Sequence, residues 1–485
     1  MSPAAGSASF GGGDGPDRRR RLLILSICCM SLLIVGLDNT IVNVALPSIG
    51  RDLHAKVSGL QWIVDAYTLV LASLLMLSGS MADRIGRRKV FAIGLCLFTG
   101  GSLLCSMAST EGQLVIFRMV QALGGSMLNP VAMSIIRNVF TDSRERAQAI
   151  GFWGATVGIS LALGPVVGGA LVQSVGWPAI FLINIPVGLA ALVLTLRFVP
   201  ESKADRPRRV DPVGQLLVIV LLGSLTYAII EGPTAGWRST QELALFAGAA
   251  ACLAGFLAYE ARRDEPLIEV AFFRSRPFSG AVVIAIAAFA ALGGFLFLNT
   301  LYLQDVRHFS ALDAGLYTLP IAAMTLIFAP VSGRIVGNRG PRAALLVGGA
   351  GIGLGALILT GLTATTPTST LLLAYAVFGL GFGTINPPIT NTAVAGMPPA
   401  QAGVASAIAS TSRQLGQTLG VAIVGALAAS SLGAARTGGP AAVPNPIGWW
   451  LITGCGVVIV ALGLLSTTGR ANASAAAVAA SSAAA

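Results

Sequence analysis

Apolar stretches about as long as a membrane is thick alternate with short polar breaks along almost the whole chain. A helix needs about 20 apolar residues to cross a hydrocarbon core of about 30 Å. Fourteen stretches meet that length, near 22–46, 60–81, 90–108, 113–137, 148–172, 178–199, 212–231, 240–259, 277–304, 314–337, 342–364, 368–392, 402–426 and 447–467. The pattern predicts an all-α integral membrane protein. Its segments are an N-terminal tail (1–21), a six-helix half (22–199), a linker region with two extra spans (200–276), a second six-helix half (277–467) and a low-complexity C-terminal tail (468–485).

Composition agrees with that pattern. The chain is 54% hydrophobic and 11% charged over 485 residues, with a mean hydropathy of +0.79. A soluble domain carries roughly a quarter charged residues, and surface-to-volume scaling leaves no fold of this size that hides so much apolar sequence from water. The net charge of +11 comes from short basic runs between spans, which indicates membrane orientation and no nucleic-acid partner. Arg18 to Arg21, Arg84 to Lys89, the Arg206–Arg209 cluster, Arg262, Arg263, Arg274 and Arg276 fall on one side if the N-terminus is cytoplasmic, as basic loops do. Both termini are then cytoplasmic. The six cysteines and two histidines have no metal-ligand spacing, so neither a disulfide framework nor a metal site is expected.

Two loops repeat. After the second span the chain reads Gly79-Ser-Met-Ala-Asp83-Arg84-Ile-Gly86-Arg87-Arg88-Lys89, and after the tenth Gly333-Arg-Ile-Val-Gly337-Asn338-Arg339-Gly340-Pro341-Arg342. The glycines at positions one and eight and the arginine at ten coincide. Two parallel halves around a central cavity are a common transporter plan. Gly337 stands where Asp83 stands in the first loop, so any latch built on the acid is asymmetric.

Candidate chemistry lies where charge enters the apolar spans. A charge in hydrocarbon is costly enough that it faces the protein interior or a water-filled path. Counting 1.5 Å per residue, Asp38 lies about 12 Å, Asp65 about 8 Å and Arg118 about 9 Å below one face, in a single layer. Burial and a nearby guanidinium act oppositely on a carboxylate, so Asp38 or Asp65 can be poised to bind and release protons while Arg118 modulates them. Arg413, in the thirteenth span, has no acid in its own helix. Asp83 could meet a helix N-terminus or Arg144 and Arg146. Gly154/Gly158, Gly164/Gly168 and Gly416/Gly420 are small-residue pairs that let helices approach closely, and Pro165 removes a helical hydrogen bond. Each feature also has a plain structural reading: an ion pair locking helices, a basic loop setting topology, or tight packing.

Together these residues resemble the fourteen-helix drug:proton antiporters of the major facilitator superfamily. Asp38 with Thr40-Ile-Val-Asn43-Val-Ala-Leu-Pro47 is similar to the first-helix signature, Gly79-x-x-x-Asp83-Arg84-x-Gly86-Arg87-Arg88 to the loop motif, and Phe117-Arg118-x-x-Gln121-Ala-Leu-Gly124 to the fourth-helix motif. Gly164-Pro165-x-x-Gly168-Gly169, preceded by Gly158, resembles the antiporter motif of the fifth helix, and Ser412-Arg413-Gln414-Leu-Gly416 a feature of the same branch. The resemblance implies two six-helix halves plus two central helices. It implies alternating-access export of amphipathic drugs or antibiotics across the cytoplasmic (inner) membrane in exchange for protons, with no other cofactor. Asp38 and Arg118 would couple protons, the loop around Asp83 would act in switching, and Gly158 to Gly169 would favour exchange. Asp65, Asn43, Gln121 and Arg413 are expected to line the substrate cavity. With one acid committed to the proton, the cargo is expected to be neutral or monocationic, and the transporter to work as a monomer in the lipid bilayer.

Other functions have less support. The same fold could move a metabolite or nutrient, which the fifth-helix motif disfavours for import. No cluster for hydrolytic or metal-dependent catalysis is present, so the chain is not read as an enzyme, and no G-x-x-x-x-G-K-[ST] loop is present to cradle ATP.

Overall fold

The computed structural model describes residues 18–204, 211–263, 268, 270–395, 402–435 and 446–484; residues 1–17 and the Arg206–Arg209 cluster lie outside them. The elements of the first half are α1 (Arg18–Asp52), α2 (Val57–Ile85), α3 (Arg87–Ser106), α4 (Glu111–Val139), α5 (Ser143–Ser174), α6 (Ala179–Leu182) and α7 (Asn184–Phe198). Next come α8 (Pro212–Ala235) and α9 (Thr240–Glu260). The second half holds α10 (Arg276–Leu301), α11 (Ala311–Tyr317), α12 (Leu319–Arg339), α13 (Arg342–Leu359), α14 (Thr368–Val394), α15 (Ala402–Ala435) and α16 (Ile447–Ser466).

Several expected boundaries shift. Helix α1 begins at Arg18, so the basic end of the expected tail is its first turn. The sixth span divides because Pro186 has no N–H for the Leu182 carbonyl, leaving α6 and α7. The tenth divides at Thr318, where α12 restarts with a proline in its first turn, a position that suits proline. Part of the C-terminal tail is helical, as α17 (Gly469–Ala484); Ser474 there accepts the Arg276 N–H at 3.0 Å. Among the described residues thirteen helical stretches are long and apolar enough to cross a membrane, with α6–α7 and α11–α12 each one crossing. The remaining expected span falls in α15, whose first half carries Ser406, Ser410, Thr411, Ser412, Arg413, Gln414, Gln417 and Thr418.

One packing plan is used twice. In the first half α1 packs on α5 and α7, α4 on α2 and α3, and α3 on α7; in the second α10 packs on α15 and α16, α14 on α12 and α13, and α13 on α16. The loop glycines repeat as well, since Gly86 and Gly340 end α2 and α12 with φ of 129° and 80°, a region that glycine enters without Cβ strain. Helix α8 lies against α2 and α15, and α9 against α8. Trp62 on α2 donates to Glu231 on α8 at 3.1 Å, and Gln215 on α8 donates to the Ser73 carbonyl. The extra pair therefore covers the α2–α15 side of the seam between halves.

The halves meet at the end of the molecule far from the termini. Gln61 donates to the Ala422 carbonyl at 2.8 Å, Gln304 to the Val44 carbonyl at 2.8 Å, and Thr418 to Thr68 at 2.8 Å. An apolar cluster there mixes Ile41, Leu46, Ile63 and Phe181 with Phe297, Leu301 and Val421 of the second half. Backbones touch where α11 crosses α5: a Cβ on Gly315 would lie 2.2 Å from the Pro165 carbonyl oxygen, and one on Gly169 2.4 Å from that of Ala311. Toward the termini, Gly151 and Gly154 on α5 and Gly333 and Gly337 on α12 face open space. The space between the halves is closed at the far end and open toward the termini.

Overpacking a close helix contact typically costs about 1–3 kcal/mol. Gly315→Val should therefore lower the apparent Tm in detergent and raise hydrogen exchange in residues 302–318, with exchange in α3 and α4 unchanged. Wild-type exchange in 302–318 would show that the α5–α11 contact does not hold the far end shut.

Candidate functional site

Midway along α1, Asp38 is fully buried, and so is Arg118 on α4. Arg118 Nη1 donates to Asp38 Oδ2 at 2.5 Å and to Gln121 Oε1 at 2.7 Å, and Nε donates to the Ile63 carbonyl at 3.2 Å. The other carboxylate oxygen accepts from Gln121 Nε2 at 2.8 Å and from Asn184 Nδ2 at 3.2 Å. Gln121 and Asn184 also converge on the Ser102 hydroxyl, at 2.7 and 3.2 Å. The guanidinium lies 4.0 Å above the Tyr67 ring, a cation–π contact that strengthens when water is absent. Five helices of one half (α1, α2, α3, α4 and α7) thus satisfy a charge pair that would be prohibitive to bury alone.

Gln121 was expected in the cavity; it is wholly buried in this network, because i and i+3 on α4 put it beside Arg118. Asn43 is buried too, its amide donating to the Asn39 carbonyl one turn back at 3.0 Å. Asn184, Ser102 and Tyr67 belong to the network and carry no sequence motif. Asn184 and Ser102 are isolated polar residues in apolar runs, which marks them as buried polar groups but does not say what they meet.

Asp65 shares the layer, as expected, but Arg118 does not reach it. Positions 61, 65 and 68 share one face of α2, and Gln61 and Thr68 bond to α15, so Asp65 points into the seam between the halves. It is completely buried, and neither carboxylate oxygen has a hydrogen-bond partner. Both carboxylate oxygens of Asp65 are therefore enclosed in the seam in this conformation. Arg413 is partly exposed; it donates to Thr390 on α14 at 2.6 Å and to Ser410 at 3.3 Å.

Asp83 pairs with Arg87 one turn on, at 2.9 Å, and not with Arg144 or Arg146. Arg146 reaches the Thr141 carbonyl, while Glu145 pairs with Arg21 at 2.7 Å. The strand of chain leaving α7 docks on this loop. Glu201 accepts the Arg88 N–H at 3.0 Å, Arg87 N–H donates to the Ser202 carbonyl at 2.9 Å, and Ala204 N–H donates to the Asp83 carbonyl at 3.1 Å. Glu201 thus sits at the N-terminus of α3, where the helix dipole favours an anion. A side chain at Gly86 would strike the Glu201 carboxylate at 2.6 Å. Glu201 escaped the sequence reading because its partners are backbone groups more than a hundred residues away. Arg84 is exposed, Arg88 half-buried, and a Cβ on Gly79 would lie 3.8 Å from Pro130.

On α5, Gly164 and Gly168 seat Thr40 and Ile41 of α1, just beyond Asp38; a Cβ on Gly168 would lie 2.5 Å from the Ile41 side chain. Pro165 and Gly169, on the neighbouring face, meet α11. One motif therefore joins the Asp38 helix to the far-end closure. Gly416 and Gly420 similarly admit α10. Gly154, expected to pack closely, faces open space, and Gly158 touches Leu326 of α12.

Residues 28–421 match the Major Facilitator Superfamily profile. Among relatives, the multidrug resistance protein Stp of Mycobacterium tuberculosis is 37% identical, covering 86% of this chain and 78% of its own. The tetracenomycin C resistance and export protein of Streptomyces glaucescens is 37% identical (83% and 75% covered). The multidrug efflux pump LfrA of Mycolicibacterium smegmatis is 33% identical (83% and 80%). In fold, the chain is similar to a bacterial homolog of the human lysosomal transporter Spinster, solved in an inward-facing and unoccupied conformation, with a TM-score of 0.60 at 18% identity, covering 96% of this chain and 98% of that one. With the repeated packing plan, the buried Asp38–Arg118 pair and the α5 motif in place, the chain belongs to the drug-efflux transporters of the Major Facilitator Superfamily.

Proposed function

We propose that this transporter is a proton-coupled antiporter that exports amphipathic drugs or antibiotics by alternating access across the cytoplasmic membrane, both termini inside, as a monomer. The observation that carries the coupling is Asp38, a buried carboxylate whose bonds all run to donors in one half. In the conformation described, the opening then faces the cytoplasm. A proton on Asp38 cancels its charge and removes the reason for Arg118 to hold α1 against α4. Two and three residues along α1, Thr40 and Ile41 are wedged into the α5 glycines, and the next face of α5 closes the far end on α11. Protonation is thereby linked mechanically to the external gate, and no proton has to meet the cargo.

Asp65 is the second acid in this scheme. Neither of its oxygens has a hydrogen-bond partner in the closed seam, and parting the halves would expose them. The loop around Asp83 acts in switching, its Arg87 pair being the arrangement of the inward-open state.

Asp38→Asn keeps the size of the side chain but cannot form the charge-assisted bond, a loss of about 1.5–3 kcal/mol. Substrate-dependent proton movement in vesicles with an imposed pH gradient should fall about tenfold or more while the protein still reaches the membrane. Wild-type exchange in that variant would remove Asp38 from coupling. A partly exposed pair contributes about 0–1 kcal/mol to stability, so Asp83→Asn should leave the Tm almost unchanged yet slow exchange and alter maleimide labelling of Gly154→Cys in a cysteine-free background. Identical labelling and rates would reduce the loop to a topological signal.

A further inference from the structure

The acids of this protein are distributed very unevenly. Residues 277–467 contain two, Asp305 and Asp313, which follow α10 and begin α11 at the closed far end. Among the described residues no arginine of this half forms an ion pair, and Arg413 is the one placed away from a helix end. It lies eleven residues into α15, about 16 Å along its axis, and long helical side chains lean toward the N-terminus, toward the open end. Its two terminal contacts are neutral hydroxyls, Thr390 and Ser410, and its buried Nε has no partner. The helices packed on α15 are α10, α2, α8, α14 and α16. Among their acids, Asp83 is bonded to Arg87, Glu231 to Trp62, and Asp65 has no bonding partner at all. A guanidinium matches a planar oxyanion through two parallel N–H bonds, and no carboxylate of the described residues makes them here.

The surroundings shape the guest further. Ser406, Ser410, Arg413, Gln414 and Gln417 form a polar face of α15, between the glycines that admit α10 and Thr418, which bonds α2. On α14, Phe382, Asn386 and Thr390 recur every fourth residue and so share a face. Phe382 meets Phe289 of α10 edge to face at 5.3 Å, about 12 Å from Thr390 along the helix. A cation toward the open end and, deeper in, the partly buried ring of Phe289 backed by buried Phe382 suit one kind of molecule. We propose that the exported compounds are aromatic acids, planar molecules carrying one ionised carboxyl or phenol group whose oxyanion docks on Arg413. This rests on the reading of the protein as an exporter.

The charge count supplies a second readout. Expelling a monoanion for one proton moves two charges across the membrane, a neutral molecule one, and a monocation none. Potential therefore drives the three with different steepness.

The test uses purified full-length protein with anthraquinone-2-carboxylate, its methyl ester and ethidium. Binding is read by tryptophan quenching, and transport in proteoliposomes with an imposed pH gradient and a valinomycin–potassium potential. Arg413→Gln should weaken carboxylate binding about tenfold and leave the ester within about twofold, while Arg413→Lys recovers part of the loss. Carboxylate transport should rise more steeply with potential than ester transport. Equal losses for carboxylate and ester in Arg413→Gln would make Arg413 a strut between α14 and α15 and overturn the proposal. So would wild-type protein that binds ethidium and the ester but not the carboxylate. If the carboxylate binds through Arg413 yet no probe moves with the proton gradient, the docking site stands and the antiport reading falls.

Discussion

A guanidinium and a carboxylate removed from water must satisfy each other, and the first half of this protein is arranged around that demand. Arg118 and Asp38 are buried together, and taking away one partner of such a pair typically costs about 3–5 kcal/mol because the other is left charged and unmatched. The remaining donors and acceptors are met by Gln121, Asn184, Ser102 and the Ile63 carbonyl. Those partners pin α1, α2, α3, α4 and α7 to one point. Rigidity of the half follows from electrostatics as much as from packing.

The seam between the halves is built differently. There the contacts are glycine-to-backbone approaches, a few side-chain-to-carbonyl bonds and a shared apolar cluster. Such contacts can part and re-form without stranding a charge. Asp65 is the exception, an acid with no bonding partner in the seam itself. Helix α8 lies along the same side, bonded to α2 near both of its own ends through Gln215 and Glu231, so the two extra helices cover one flank of the interface between the halves.

The two halves share a packing plan but not a charge plan. The paired acid and base lie in the first, and the second keeps Arg413 with hydroxyl partners alone. Gly86 and Gly340 end matching helices with the same backbone hand, yet Asp83 has Gly337 as its counterpart. The repeat therefore preserves what the backbone needs and not what charge does.

Length and hydropathy alone determined that this chain is a bundle of membrane helices, because a span is a local property: about 20 apolar residues suffice. The same locality made Asp38, Arg118 and Asp65 stand out, since a charge within an apolar run is visible without knowing its neighbours. Partnership is not local. Arg118 chose Asp38 over Asp65 because the rotation of α2 turns Asp65 toward α15, and no spacing along the chain encodes the azimuth of one helix against another. Asn184, Ser102 and Glu201 acquired meaning when helices distant in sequence met around them. The tertiary structure likewise decided that Arg413 meets the hydroxyl of Thr390 on α14, because its partners depend on how five helices pack around α15.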